Sequence, residues 1–393
     1  MLFPFLLAAI TFHIDFEGAS LGKVEQTSPG HFICPVRGEA DQDGRNRQAN
    51  WYYFRVDGAA RGALTIDLTN LVGEYNYTPG SHAVTSNTRP VFSYDNKTWM
   101  HFSSNQVEWD KQRIRLRLRF TPDRNRVWIA HVPPYTNQHL DALLKDARPS
   151  AHYQYENTGN TVDGRPMPLV TITNPRVPAV GKKVAWLMFR QHSWETGSSW
   201  AGDGAIRFLL SEQGAALREQ VIWKIFPMAD PDGVSRGGVR FNKNGYDLNR
   251  NWDPNRGMFQ PGLMPEIAAQ KKAILAWLDA GHRIDFFLTL HNTESGEYLE
   301  GSHAPLGERL EKLLLETTSF HPSRPFRRAE ASTTPGKPGR MNVAQGLHAE
   351  RDIPAFGMEQ RVEFNTKLGR LPTVADREEF GRQLVQAIAA ALR

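Results

Sequence analysis

A histidine and a glutamate three residues apart, His192 and Glu195, follow directly after the apolar run KVAWLMF. Imidazole and carboxylate groups are common ligands of divalent metal ions. The pair means little by itself, because a chain with 13 histidines contains such a spacing by chance. Its position is more informative. A turn just past the carboxyl end of a strand can direct both side chains at one point.

A third ligand is expected at the end of a neighbouring strand, and the stretch RIDFFLTLHN places His291 there. Two histidines and one carboxylate form the catalytic zinc set that leaves a fourth position open for water. Each histidine alone fits a structural or surface role as well. The three residues together predict one Zn²⁺ per chain.

The connection between these two strand ends is rich in glycines, acids and arginines, as in DPDGVSRGGVRFNKNGYDLNRNW. Such a composition is typical of a functional loop. Arg250 offers a planar fork that suits a carboxylate, with Asn249 beside it as a second donor. The alternative, a solvated loop arginine, stays open on the residues alone.

Strands and helices must alternate to position these residues. From Pro133 onward, the apolar runs KVAWLMF, VIWKIFP and RIDFFLTL are separated by helical stretches around Ala205 to Arg218 and Pro265 to Ala280, after a first helical stretch NQHLDALLKDA. This alternation predicts an α/β domain over residues 133–393 with a mainly parallel central sheet.

Short β-rich runs fill residues 10–132, separated by Gly, Asn, Asp and Pro turns, and they predict an antiparallel β-sandwich domain. The runs are HFICPV, NWYYFRV, GALTIDL, TWMHF, RIRLRLRF and RVWIAHV. RIRLRLRF alternates basic and apolar residues with period two, which predicts one wet and one buried face of its strand. Its arginines are interpreted as a solvated sheet face.

The composition supports two packed units and restricts the chemistry. A chain of 393 residues with 40% hydrophobic content is too long for one ordinary core. Cys34 is the single cysteine, so an internal disulfide and thiolate-rich metal sites are excluded. The net charge of +5 is spread along the chain without a basic cluster, which argues against nucleic acid as a partner.

The first nine residues, MLFPFLLAA, are apolar and far too few to span a bilayer. They are interpreted as a remnant of a signal peptide, which favours export over a cytoplasmic location, or as the apolar lead-in to a first strand. No other segment approaches the length of a membrane span.

Five ordered motifs, HSWE, DPDG, DLNRNW, LTLHN and PAFGMEQ, resemble those of the zinc metallocarboxypeptidase superfamily. The β-rich front half, with DFEGASLG and RNRQANWYYFRV, is similar to that of the cytosolic carboxypeptidase subfamily. The resemblance spans nearly the whole chain. It implies a zinc-dependent peptidase that hydrolyses the last peptide bond of peptides or proteins.

The resemblance also implies a role for each residue of the motifs. The implied roles are zinc ligand for His192, Glu195 and His291; substrate carboxylate binding for Asn249 and Arg250; oxyanion stabilisation for Arg240; orientation of a zinc histidine for Asp247; and general base for Glu359. Glu359 would take a proton from water and pass it to the leaving amine, while zinc and Arg240 neutralise the oxyanion.

The sequence departs from the family pattern at two places. Classical relatives place a mobile tyrosine shortly before the catalytic glutamate, but the stretch STTPGKPGRMNVAQGLHAERDIPAFGME contains none. The cytosolic subfamily also tends to lack this tyrosine. Ser193 and Trp194 stand inside the zinc motif in place of the more usual Pro-Gly, so the ligand spacing is kept while the loop shape is open.

Members of the subfamily commonly prefer acidic C-terminal residues, which a basic residue before the catalytic glutamate recognises. Arg340 is the candidate for this role in the present chain, with Lys337 as the second choice. A solvated loop arginine is the alternative for Arg340.

Two other functions fit parts of the pattern. A zinc N-acyl amino acid amidohydrolase of the aspartoacylase type also combines His-x-x-Glu, a later His and Asn-Arg, but it lacks a long β-sandwich in front. A non-catalytic carboxylate-binding module on a peptidase scaffold would keep the site without turnover. Serine hydrolase chemistry is not expected, because TGSSWAG does not form the Gly-x-Ser-x-Gly elbow. The oligomeric state is not indicated.

Overall fold

The computed structural model describes residues 9–254, 262–328 and 340–393. Residues 1–8, and with them nearly all of the predicted apolar N-terminal segment, lie outside the described residues, as does Lys337. The assignment of that segment and the preference for export therefore stay predictions.

The described residues form β-strands and α-helices in an order that changes after the tenth strand. The strands are β1 Thr11–His13, β2 Glu25–Ser28, β3 His31–Pro35, β4 Tyr53–Asp57, β5 Leu64–Thr69, β6 Val91–Ser93, β7 Met100–His101, β8 Val107–Asp110, β9 Arg115–Phe120, β10 Arg126–Ala130, β11 Tyr153–Asn160, β12 Pro166–Ile172, β13 Lys183–Phe189, β14 Val221–Phe226, β15 Phe286–Thr293, β16 Tyr298–Gly301, β17 Arg327–Arg328 and β18 Ala355–Arg361. The helices are α1 Asn137–Ala147, α2 Thr196–Leu210, α3 Ala215–Gln220, α4 Pro231–Arg236, α5 Pro265–Asp279, α6 Ala304–Thr317, α7 Val343–Arg351 and α8 Val374–Ala391.

Strands β1 to β10 form a β-sandwich of two five-stranded sheets, with orders β1-β4-β10-β6-β7 and β2-β3-β5-β9-β8. The pairing is antiparallel except between β3 and β5, which run parallel. The inner faces of the two sheets share one apolar core, in which Phe54 and Ile129 of one sheet lie with Ile66 and Leu118 of the other. All six predicted strand runs overlap an observed strand.

Strand β9 has the two faces that its alternating sequence predicts. Leu116, Leu118 and Phe120 are buried, whereas Arg115 and Arg117 are half-buried and Arg119 is exposed. The arginines form ion pairs across the outer face of the sheet, with Arg117 Nε 2.6 Å from Asp67 Oδ1 and Arg119 Nη1 2.5 Å from Glu108 Oε2. The basic stripe is therefore a charge-paired outer sheet face.

The remaining strands form one eight-stranded mixed sheet of order β11-β12-β14-β13-β15-β18-β16-β17. Its four central strands, β14, β13, β15 and β18, run parallel. Side chains of β13 alternate between the two faces, as a strand requires. Leu187 and Phe189 lie in the core beneath α2 and α8, and Trp186 and Met188 lie in the core beneath α5 and α7. Burial on both faces explains the continuous apolar sequence of this strand.

The helix predicted around Ala205 to Arg218 is wrong in its bounds. The structure has two helices there, α2 Thr196–Leu210 and α3 Ala215–Gln220. The first begins earlier because small residues such as Gly204 and Gly381 let α2 and α8 approach closely. A Cβ on Gly204 would lie 2.1 Å from the carbonyl oxygen of Glu378. Glycines are poor helix formers by propensity, so close packing decides this start. The predicted helices at 137–147 and from Pro265 are confirmed.

The sandwich packs directly on the α/β domain. One apolar cluster joins the two: Trp51, Tyr53 and Val91 of the sandwich lie with Trp194 and Val239 of the α/β domain. A polar contact lies beside it, where Asn50 Nδ2 donates to Glu294 Oε1 at 2.7 Å.

The placement of the domain boundary at residues 132 and 133 stays a prediction. Within the described residues, every helix is too short or too polar to cross a bilayer.

Candidate active site

The three predicted metal ligands meet at the carboxyl ends of two adjacent parallel strands. Strand β13 pairs with β15 up to Phe189 and Leu290, so the residues that follow lie side by side. His192 and Glu195 lie in the turn between β13 and α2, and His291 is the sixth residue of β15. Their ligand atoms lie within 4.8 Å of one another, and all three side chains are buried. The structure thus brings together the set that the sequence spacing predicted.

Hydrogen bonds fix which atom of each imidazole faces the cluster. The Nε2 of His192 lies 3.1 Å from Asp247 Oδ1, and the Nε2 of His291 lies 3.1 Å from Gln191 Oε1. With Nε2 protonated toward these acceptors, each Nδ1 directs a lone pair at Glu195, at 2.6 Å from Oε1 for His192 and 2.8 Å from Oε2 for His291. Lone pairs that converge with a carboxylate fit a divalent cation such as Zn²⁺.

The charges in the cluster agree with this reading. Burial raises the pKa of Glu195, but the charges of His192 and His291 outweigh it and lower the pKa to about 2, so the carboxylate is ionised. Burial lowers the pKa of His291, which favours its neutral form. Burial and the charge of Arg240 lower the pKa of His192. The charges of Glu195 and Asp247 outweigh them, so the pKa of His192 is raised overall. A proton and a cation therefore compete for the His192 lone pair.

Asp247 links the ligand cluster to a guanidinium. Its Oδ1 faces His192 and accepts the backbone N–H of Asn249 at 2.8 Å, while its Oδ2 accepts from Arg240 Nε at 2.8 Å. Burial raises the pKa of Asp247, but the charges of Arg240 and Arg250 hold it well below its usual value. One ionised carboxylate thus orients a candidate ligand and a candidate oxyanion partner.

Glu359 lies beside the cluster on the next strand. In the parallel pair of β15 and β18 it is the direct partner of His291, so the two side chains share one face of the sheet. Its Oε2 atom is buried and has no hydrogen-bond partner among the described residues. Burial, followed by the charge of Glu195, raises the pKa of Glu359 well above its usual value. A buried carboxyl with a raised pKa and an unused oxygen has the properties of a general base.

A pocket opens next to these residues, between the sandwich and the α/β domain. Three guanidiniums line it, those of Arg240, Arg250 and Arg340. Arg340 also hydrogen-bonds to the Tyr77 hydroxyl. The excess of positive charge suits an anionic ligand.

Asn249 lies apart from the other predicted substrate residues. It is not among the described residues that line the pocket, and its amide contacts His291 Nε2 at 3.2 Å and the Val343 N–H at 3.0 Å. Asn249 therefore lies against a candidate metal ligand and not in the pocket. Arg250 is directed into the pocket, with one N–H of its guanidinium donating to the Asn249 carbonyl at 2.8 Å.

The sequence analysis missed the wall of the pocket that the sandwich provides. This wall consists of Asp41, Gln42, Asn46, Asn76 and Tyr77. Three of these residues have left-handed backbones, with φ of 51° at Asn46, 51° at Asn76 and 61° at Tyr77. Such a conformation is uncommon outside glycine and is concentrated at functional sites. Asparagine tolerates it, but a tyrosine gives no sequence signal for it.

The loop between the ligands His192 and Glu195 has its own supports. Arg190, itself at a φ of 61°, donates from Nε and Nη2 to the Ser193 carbonyl at 2.9 and 2.7 Å. The Trp194 N–H donates to the Val239 carbonyl at 3.0 Å, and its ring is buried against the sandwich. Ser193 and Trp194 thus fit a loop that is fixed by a buried arginine and by the domain interface.

Comparisons with known proteins agree with the fold. The family described as zinc carboxypeptidase matches residues 137–299, and the family described as the cytosolic carboxypeptidase N-terminal domain matches residues 12–132. The α/β domain is thus similar to zinc carboxypeptidases up to residue 299, and the sandwich is similar to the N-terminal domain of cytosolic carboxypeptidases.

The chain is also similar to individual proteins along part of its length. The chain is 29% identical to cytosolic carboxypeptidase 6 of Mus musculus over 300 residues, which are 72% of this chain and 53% of that protein. It is 30% identical to a protein of Zymomonas mobilis over 241 residues, 60% of this chain and 58% of the other. The chain thus spans little more than half the length of these curated relatives.

Two solved structures share the fold along nearly the whole chain. A metallo-carboxypeptidase from Burkholderia cenocepacia superposes with a TM-score of 0.80 at 21% identity, covering 97% of this chain and 98% of the other. A metallo-carboxypeptidase from Pseudomonas aeruginosa, in complex with (2-guanidinoethylmercapto)succinic acid, gives 0.80 at 21% identity, covering 98% and 100%. Both contain the sandwich as well as the α/β domain within the matched length.

Proposed function

We propose that this protein is a zinc-dependent metallocarboxypeptidase that removes single residues from the C-termini of peptides or proteins, with one Zn²⁺ per chain. The observation that carries the proposal is the buried cluster of His192, Glu195 and His291, next to Glu359 and to a pocket lined by three arginines. A metal centre, a buried carboxyl and an anion pocket together are what hydrolysis of a C-terminal peptide bond requires.

The ligand residues would hold zinc, which supplies Lewis-acid polarisation of the scissile carbonyl and acidifies water. Arg250 binds the C-terminal carboxylate of the substrate and so places the last peptide bond over Glu359. Glu359 accepts a proton from the attacking water as the new C–O bond forms. It then returns this proton to the nitrogen as the C–N bond breaks, so that an amino acid and a shortened peptide leave.

Arg240 lies where negative charge develops on the carbonyl oxygen. Its Nε is engaged by Asp247, and this bond holds the guanidinium in place before substrate arrives. A donor held in advance needs little reorganisation in the transition state, which is why such groups contribute strongly to catalysis. Asp247 therefore orients two groups, the imidazole of His192 and the guanidinium of Arg240.

The test is mass spectrometry of peptides that differ only in the C-terminal residue, incubated with zinc-loaded protein and with its Glu359→Gln variant. We expect single-residue losses with the wild type only, and equal zinc content in both proteins. Cleavage of N-acyl amino acids in place of peptides would identify an aspartoacylase-type amidohydrolase. Bound zinc without turnover of any substrate would identify a binding module.

We further propose that the pocket prefers acidic C-terminal residues and that Arg340 recognises their side-chain carboxylate. Support comes from its position: Arg340 lines the same pocket as Arg240 and Arg250 and is hydrogen-bonded to Tyr77. A guanidinium in this pocket can form charge-assisted hydrogen bonds with a carboxylate on the side chain of the last substrate residue.

Arg340→Ala tests this preference. The ratio of kcat/KM for a peptide ending in Glu over one ending in Ala should fall roughly tenfold or more, as expected for the loss of a hydrogen bond to a charged group. Arg351→Ala, which removes an exposed arginine paired with Asp279, is the matched control and should leave the ratio unchanged. A wild-type ratio near one, with normal turnover of both peptides, would refute the acidic preference alone.

A further inference from the structure

One side chain of the sandwich reaches the loop that carries Arg240. The Oε2 atom of Glu39 accepts the backbone N–H groups of three consecutive residues, Val239 at 2.8 Å, Arg240 at 2.7 Å and Phe241 at 3.0 Å. Its Oε1 atom forms an ion pair with Arg236, the last residue of α4, which is the helix that precedes the loop. All four contacts cross from the sandwich to the α/β domain.

Successive N–H groups directed at one point form a concave anion site in the backbone. A carboxylate in such a site makes charge-assisted hydrogen bonds, which are about twice as strong as neutral ones. Glu39 is itself fixed, because its backbone exchanges hydrogen bonds with Gln48, at 2.8 Å in both directions. The carboxylate therefore holds the loop from a rigid support.

Arg240 is consequently fixed at both ends. Glu39 determines the position of its backbone, and Asp247 binds its Nε at 2.8 Å. The guanidinium must reach the developing oxyanion with little error, because a misplacement of about 1 Å lowers the rate by about 100-fold. A carboxylate that lies outside the catalytic domain thus controls a group that the reaction needs.

We propose that Glu39 is a positioning residue for Arg240, so that the β-sandwich is part of the catalytic machinery. This inference rests on the proposed carboxypeptidase function. Glu39 is neither a candidate metal ligand nor one of the residues that line the pocket, so it acts through the loop that carries Arg240 and Phe241.

Another carboxylate of the sandwich offers a matched control. Glu17 also bonds across the domain interface, with its Oε1 accepting from Asn137 Nδ2 at 2.7 Å and its Oε2 from the Gln138 N–H at 3.4 Å. These contacts reach the start of α1, which does not contribute to the site. If Glu39 only stabilised the contact between the two domains, then Glu17→Gln and Glu39→Gln should change kcat to the same extent.

The first experiment measures steady-state kinetics of zinc-loaded Glu39→Gln and Glu17→Gln. The amide of Glu39→Gln keeps the size of the side chain but loses the charge. We expect kcat to fall roughly tenfold with KM within about twofold and the zinc content unchanged, since the lost interaction belongs to the transition state. Glu17→Gln should retain the wild-type kcat. Equal kcat values in both variants would overturn the proposal.

A double-mutant cycle with Arg240→Ala separates positioning from general weakening of the fold. If Glu39 acts through Arg240, then Glu39→Gln should change kcat by less than about twofold in the Arg240→Ala background. An equal tenfold loss in both backgrounds would overturn the proposal. Glu39→Asp, which keeps the charge on a shorter side chain, replaces Glu39→Gln in the cycle if the latter fails to fold.

Hydrogen–deuterium exchange supplies a readout that needs no substrate. The amides of residues 239–241 should exchange faster in Glu39→Gln than in the wild type, while the amides of α1 stay protected. Unchanged exchange would show that Glu39 does not hold the loop. A wild-type protein that turns over no peptide would instead refute the proposed function, and this exchange result would still report on the loop.

Discussion

Two groups of three arginines lie in different surroundings. Arg115, Arg117 and Arg119 on β9 face three carboxylates on neighbouring strands, those of Asp67, Glu108 and Asp110. Arg240, Arg250 and Arg340 line the pocket, together with the carboxylates of Asp41 and Asp247.

The pocket carboxylates also have partners other than the three arginines. Asp41 accepts the Tyr77 hydroxyl at 2.8 Å and the backbone N–H groups of Asp43 and Arg45, and Asp247 accepts from His192 and Asn249. Guanidiniums that pair with carboxylates across the outer face of a sheet stabilise that sheet, whereas guanidiniums that line a pocket can attract an anion. The number of arginines is the same in both groups, so their partners decide the role.

The largest expected difference between the groups concerns Arg240. Arg240→Ala should lower kcat by about 100- to 1000-fold, because it removes the group that stabilises the oxyanion. Its zinc content should match that of the wild type. Any alanine substitution among the three β9 arginines should leave kcat unchanged, and a comparable kcat loss there would break the distinction.

A smaller effect is expected at Arg250. Arg250→Ala should raise KM by about ten- to a hundredfold, the range that follows from losing charge-assisted hydrogen bonds to a carboxylate. The measurement compares peptides with a free and an amidated C-terminus. The wild type should favour the free carboxylate, and a variant that keeps this preference would show that Arg250 does not bind it.

Arg117 should matter for stability instead of catalysis. Arg117→Ala should lower the free energy of unfolding by about 1–3 kcal/mol, since buried Asp67 loses one charged partner and keeps Arg115 and His31. Urea unfolding at neutral pH measures this loss, and kinetics of the folded variant should be normal.

The ion pair between Arg117 and Asp67 also predicts how stability depends on pH. Burial raises the pKa of Asp67, but hydrogen bonds from Arg117 and His31 outweigh it and lower the pKa below its usual value. A lowered folded-state pKa stabilises the protein above the unfolded value of about 3.9 and stops doing so as the pH falls through the folded value. The stability difference between wild type and Arg117→Ala should therefore shrink below about pH 4. A difference that stays constant in acid would contradict this account.

The smallest effect is expected at Arg119, which is more than half exposed and pairs with the exposed Glu108. Exposed ion pairs contribute about 0–1 kcal/mol. Arg119→Ala should change the urea midpoint only slightly and kcat not at all. A loss above about 2 kcal/mol would place Arg119 with the buried pairs.

The ligand cluster was accessible from the sequence because its signals are local. His192, Glu195 and His291 follow apolar strands, and parallel strands bring their carboxyl ends to one edge. The alternating residues of β9 likewise revealed its two faces. Burial on both sides of β13 explains why its sequence reads as one apolar run.

Other features of the fold and of the site depend on contacts between segments that are far apart in the sequence, and the spacing of residues does not reveal such contacts. The start of α2 could not be predicted from the sequence, because glycines weaken an isolated helix and yet are needed here for the close contact between α2 and α8. Nothing in the stretch around Tyr77 signals that its backbone is left-handed or that it faces Arg340. Glu39 is separated by about 200 positions from the loop that it holds.

The apolar cluster that contains Trp194 and Val239 also determines how the protein can be divided. A gene fragment encoding only residues 133–393 would expose these side chains to water and would lack Glu39 and one wall of the pocket. The smallest portable unit for expression, grafting or directed evolution is therefore the sandwich and the α/β domain together, and exchange of sandwiches between relatives would transplant part of the substrate pocket.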